Sequence, residues 1–160
     1  MERIEKPIIL GVFPPGEDRT SLDSILSHSE WELQFTGTLE GLQAVLHTRP
    51  VAVVFSERRL PDGHCWKDVL QELQAMLNPP PLIVADRLAD DVLWTEVLHL
   101  GAHDLLTKPF NATEVLRAVA TAFHFGEAKR ERAEALHRPL KSVGREDVEE
   151  IKERSAWSGH

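Results

Sequence analysis

The chain has 160 residues, 42% hydrophobic and 28% charged, an ordinary globular balance that sets aside a disordered chain and leaves room for one compact domain with a short appendage. Its formal net charge of −8 speaks against a nucleic-acid binder working through a broad basic field. Cys65 is the single cysteine, which excludes a disulfide framework and a cysteine-built zinc site.

No apolar run approaches the ~20 residues of a membrane-spanning helix. The opening MERIEKPIILGVF has a short apolar run followed by two prolines, unlike a secretory leader. A cytoplasmic location is therefore expected. The one dense basic stretch, AKRERAEALHR, is interrupted by glutamates and reads as a solvated helix face. Neither nucleic acid nor membrane is expected among the partners.

Short apolar runs alternate with helical patterns along the chain. Pro7–Phe13 is a compact β run, closed by Pro14 and Pro15. A helix is predicted in the region Asp18–Ser29, with Leu22, Ile25 and Leu26 on one stripe. Trp31–Phe35 alternates with period two, which places Trp31, Leu33 and Phe35 on a single face. Thr38–His47 is a short helix with Leu39, Leu42, Val45 and Leu46 inward and Thr38 as N-cap.

Val51–Ser56 is nearly continuous in apolar residues, as a strand covered on both faces would be. A third helix is predicted over Trp66–Leu77, stopped by Pro79–Pro81. Leu82–Ala85 is a fourth buried strand ending at Asp86. A fourth helix covers Ala89–Leu100, with Gly101 as its stop. Its stripe is Leu88, Leu93, Val97 and Leu100, and Trp94 and Leu98 add apolar area beside it. Asp104–Thr107 is a short fifth strand before Lys108-Pro109. Asn111–Phe125 is a fifth helix, with Asn111 and Glu114 spaced as a capping pair.

Strict strand–helix alternation predicts an α/β domain around a parallel sheet with helices on both faces. Sites in such sheets lie beyond the carboxyl ends of the strands. Those ends carry Phe13 and Pro14, then Glu57, Asp86 and Lys108. The domain is expected over residues 1–126. Residues 127–160 form a charged extension, read as a continuation of the fifth helix, a break, and a weak helix near Glu146–Arg154.

Two stretches, RRLPDG after the third strand and LGAHDLLTKPF (Leu100–Phe110), together with this element order, resemble the receiver domain of bacterial response regulators over Pro7–Phe125. The resemblance implies a flavodoxin-like, doubly wound sheet of order 2-1-3-4-5. In that family the phosphate-accepting aspartate lies four residues before a proline; here Glu57 stands there, ahead of Pro61. The family moves a phosphoryl group from a histidine kinase to that aspartate with Mg²⁺, which an acid pair after the first strand helps to hold.

Lys108 matches the family's lysine. Phe13 and Pro14 stand where the acid pair belongs, Asp86 where a Thr or Ser hydroxyl belongs, and Leu105 where an aromatic residue is usual. Glu17 and Asp18 read as residues of a helix start, favoured there by the macrodipole.

The expectation is a stand-alone, degenerate receiver, not an enzyme, that binds a protein partner without being phosphorylated. Glu57 would be a fixed negative charge paired with Lys108, with Asp86 as a second acid near the same lysine. The simpler alternative is a solvated Glu57. No cofactor is expected; Mg²⁺ enters only under a second alternative, a working receiver that uses Glu57 or Asp86 as acceptor. A small flavodoxin-like enzyme is the outside alternative, against which FPPGEDRTS lacks the glycines of a nucleotide loop.

The resemblance also implies a partner-binding face of the fourth helix, fifth strand and fifth helix, on which Trp94, Leu98 and Leu105 would stand. The partner would be a histidine kinase or another signalling protein, with a second copy of this chain left open. Trp157 in the tail could serve either the body or a partner. His99 and His103, separated by Gly101, and the adjacent His64 and Cys65 lack a third group that would make them a metal site or a nucleophile.

Overall fold

In a computed structural model that describes residues 6–88 and 90–136, five parallel strands form one sheet. They are β1 (Ile8–Val12), β2 (Glu32–Thr36), β3 (Val51–Glu57), β4 (Leu82–Asp86) and β5 (Asp104–Thr107), in the order β2-β1-β3-β4-β5. The helices α1 (Glu17–Leu26), α2 (Leu39–Thr48), α3 (Trp66–Gln74), α4 (Asp91–Leu100) and α5 (Ala112–Leu136) alternate with them. This is the doubly wound, flavodoxin-like architecture.

The period-two geometry of the strands sorts their side chains into two cores. Leu10 and Val12 of β1, Val54 of β3 and Val84 of β4 pack with Leu42, Trp66, Val69, Leu93 and Val97 of α2, α3 and α4. Their neighbours Ile9, Phe13, Val53, Phe55 and Ile83 pack on the other face with Leu22 and Leu26 of α1 and Val115 and Val119 of α5. Each large side chain so buried contributes about 1.5–3 kcal/mol. Trp31, Leu33 and Phe35 share the second core as their spacing predicts. Gly11 is required where β1 passes Phe35, whose ring would lie 2.7 Å from an added Cβ.

Helix ends follow local chemistry. The Thr38 hydroxyl accepts from the Gly41 amide at 3.0 Å, and the Asp90 carboxylate accepts from Leu93 N at 2.8 Å. Asn111 Oδ1 accepts from Glu114 N at 3.1 Å. Gly101 ends α4 in the left-handed region at φ 107°, where a side chain would be strained.

Two expectations need correction. The buried stripe of α4 consists of Leu93 and Val97, whereas Leu88, 73% exposed, and Leu100 lie at the surface. Leu88 precedes the Asp90 cap, so helical periodicity does not apply to it. Helix α3 stops at Gln74, before the predicted Leu77, with the chain already turning toward the prolines. The continuation of the fifth helix expected beyond Phe125 is present: α5 runs to Leu136, because AKRERAEAL is built of strong helix formers.

The chain divides into two units, Met1–Lys129 and Arg130–His160. Of the second, only Arg130–Leu136, the end of α5, is described. The expected helix at Glu146–Arg154 and Trp157 lie outside the described residues.

Candidate functional site

The carboxyl ends of β3, β4 and β5 bring Glu57, Asp86 and Lys108 to one edge of the sheet. Glu57 is paired in register with Ala85, and Asp86 with Thr107. Lys108 follows β5 and is joined to Pro109 by a cis peptide bond. Its side chain is only 4% exposed. The ammonium donates to Asp18 Oδ2 at 2.9 Å and to Glu57 Oε1.

Glu57 and Lys108 are thus brought together, with Asp18 as the third member. Asp18 reaches the site from the first turn of α1, which opens beyond the end of β1. Its acidic character suits a helix start, so nothing in the local pattern separates that role from a site role. The available signal was positional: α1 begins on the same side of the sheet as Glu57 and Lys108.

Burial opposes the positive charge on Lys108, but hydrogen bonds and attraction from Glu57 and Asp18 outweigh it. Together they hold the ammonium above the ordinary lysine range. Two unit charges 2.9 Å apart attract by about 6 kcal/mol in a surface-like dielectric before desolvation is subtracted. With two carboxylates on one ammonium, the cluster carries one net negative charge.

Asp86 does not join this cluster, which corrects the expectation of two acids, Glu57 and Asp86, on one lysine. Its carboxylate accepts from Arg58 Nη1 at 3.0 Å, across the ends of β3 and β4. Glu57 and Asp86 therefore each have their own cation. Phe13 is fully buried in the second core, its ring edge-on to Phe110. The half-buried Pro14 follows it.

The Phe13 carbonyl is not free either. Arg19, which the sequence reading passed over, donates to it from Nε and Nη2 at 2.8 and 2.6 Å. The same guanidinium lies 5.2 Å from the centre of the Phe35 ring, a cation–π arrangement.

These donors bear on the Mg²⁺ that the family resemblance implies. Mg²⁺ takes six oxygens near 2.0–2.1 Å. Here two carboxylates converge, both engaged by Lys108, and the β1-end carbonyl is engaged by Arg19. Among the described residues no group of three or more His, Cys, Asp and Glu side chains is placed to hold a metal. The residues present do not fit the ion.

On α4, Trp94 is 44% and Leu98 42% exposed, one turn apart; Val92, also exposed, stands on the other flank of the helix, and the exposed Leu88 precedes it. Leu105 is 5% exposed and packs in the first core, so its inclusion in an exposed partner surface is corrected. On a strand covered from both sides, its alternation with Leu106 points it inward. His99 is exposed and His103 half-buried, with the Gly101 turn between them. Cys65 caps α3, and His64 Nδ1 lies 3.4 Å from Asp68.

No protein-family model and no curated protein matches the chain. Solved structures do match in fold. The signal receiver domain of an HD domain-containing protein from Pseudomonas fluorescens Pf-5 aligns with a TM-score of 0.71 at 23% identity, over 82% of this chain and 98% of that one. The chemotaxis response regulator CheY4 of Vibrio cholerae aligns at 0.65 and 17%, over 74% and 99%. NtrX from Brucella abortus aligns at 0.72 and 20%, over 82% of this chain but 30% of that longer protein. The chain has the fold of receiver domains.

Proposed function

We propose that this chain is a receiver-type module of two-component signalling that works by binding a protein partner and is not switched by phosphorylation. The observation that carries this reading is the Lys108 ammonium seated between Glu57 and Asp18. A phosphoryl acceptor must attack in line, with cations free to neutralise the transferred oxygens. Here the cation nearest the acceptor position is bonded to two carboxylates already. A second cation, Arg58, is bonded to Asp86, which would repel an incoming phosphoryl group. Glu57 acts as a permanent negative charge that holds the β3 and β5 ends in one arrangement.

Output then falls to the surface. The apolar strip of Trp94 and Leu98, one turn apart on α4, supplies an aromatic anchor of the kind that dominates protein interfaces. The partner is a protein of the signalling pathway, such as a histidine kinase.

The test is incubation with acetyl phosphate and Mg²⁺, followed by intact-mass measurement. No phosphoryl gain is expected. A stoichiometric gain that disappears in Glu57→Gln would instead establish a working acceptor. Affinity capture of partners by the parent and by Trp94→Ala tests the surface. Loss of the captured protein in the variant supports it, and unchanged capture moves the docking site elsewhere.

A further inference from the structure

The end of the sheet opposite Glu57 carries a second concavity. A cavity of about 400 Å³ lies where β4 and β5 begin, between the end of α3, the Pro79–Pro81 run, the turn after α4 and one side of α5. That volume is in the range of small-molecule sites. Its inner wall is apolar and firm: Leu73 and Leu82 are buried, and three consecutive prolines restrict the backbone between them.

Among the described residues, the polar side chains that line the cavity are Gln74, His103 and Lys129. The Gln74 amide is tied to the Leu100 carbonyl at 3.1 Å, which fixes α3 to the end of α4. The His103 and Phe125 rings have centres 5.4 Å apart and are tilted by 44°, so an imidazole and an aromatic wall stand side by side. Lys129 supplies a cation from α5. Among the described residues no Asp or Glu lines the cavity, in a chain where 26 acids outnumber 18 lysines and arginines. A concavity with an apolar interior, a cation and an imidazole beside it suits a ligand with an apolar body and one anionic head.

We propose that this cavity binds a small amphipathic carboxylate. Its apolar body lies against Leu73, Leu82 and Phe125, and its head faces Lys129 and His103. The site is independent of the Glu57–Lys108 cluster, which occupies the other end of the strands.

Titration of the full chain with octanoate, followed through backbone amide resonances, tests this directly. Saturable shifts are expected at Gly101, Ala102, His103 and Gly126. Octan-1-ol, with the same body and no charge, binds more weakly. Lys129→Gln, at an exposed position, lowers octanoate affinity about two- to fivefold, the range of a partly solvated ion pair, and leaves octan-1-ol unaffected. Three results would overturn the proposal: shifts at these amides that do not saturate, equal binding of the acid and the alcohol, or shifts confined to the α4 surface around Trp94.

Discussion

At the scale of single residues, Lys108 decides most. Replacing it by Met leaves Asp18 and Glu57 facing each other without their shared cation. Because both carboxylates keep some solvent contact, the expected loss is about 1–3 kcal/mol, below the 3–5 kcal/mol of a fully buried pair. The same variant vacates a position between two carboxylates. Added Mg²⁺ or Mn²⁺ should therefore raise the Tm of Lys108→Met and leave the parent unchanged; equal effects on both would show that the ammonium is not what keeps divalent ions out. The pH dependence has a definite sign. A lysine held above its ordinary value of 10.5 contributes stability that is complete below that value and is lost as pH rises through the folded-state value. The stability gap between parent and Lys108→Met, read from urea midpoints, should stay level through neutral pH and close only as pH rises past the ordinary lysine value of 10.5. Asp62 behaves in the opposite direction. Desolvation raises its carboxyl, but hydrogen bonds from the Leu39 and His64 amides outweigh this and lower it from 3.8. Its contribution is present above the ordinary carboxylate range and lost as pH falls below it.

At the scale of elements, the caps and the exposed strip of α4 separate stability from function. Asp90→Ala removes the acceptor of Leu93 N and should cost about 1 kcal/mol by chemical denaturation. Trp94→Ala and Leu98→Ala sit outside both cores, so each should change stability by no more than about 0.5 kcal/mol. If either costs as much as a core residue, the strip belongs to the fold and not to a partner. The Arg58–Asp86 pair joins β3 to β4 at the surface. A double-mutant cycle on it should give about 0.2–1 kcal/mol, too little to hold the sheet.

At the scale of the whole molecule, one sheet separates two cores that do not touch. Val97 belongs to one and Val119 to the other. Val97→Ala and Val119→Ala should each cost about 1.5–3 kcal/mol. Their double variant should lose the sum to within about 0.5 kcal/mol, because sites without shared partners are additive. Non-additivity beyond that would mean the sheet transmits packing changes from one face to the other. The two ends of the sheet are likewise distinct: charged and closed by ion pairs where the strands finish, apolar and concave where they start.

The five strand–helix repeats, the Thr38 and Asn111 caps and the placing of Glu57 and Lys108 at strand ends were legible in the sequence. They rest on backbone periodicity and on side chains bonding within three residues, which neighbours along the chain determine. Which charges meet was not legible. Asp18 and Lys108 are 90 residues apart, and Arg58 and Asp86 are 28 apart. A local pattern that explains Asp18 as a helix start is satisfied whether or not its carboxylate also meets a lysine. Leu105 shows the same limit, since a strand's inward and outward faces are named only once the helices that cover them are in place. The order of the elements is a property of the chain; the pairing of ions across the strand ends belongs to the packed sheet, because only that packing brings distant side chains within a few ångströms.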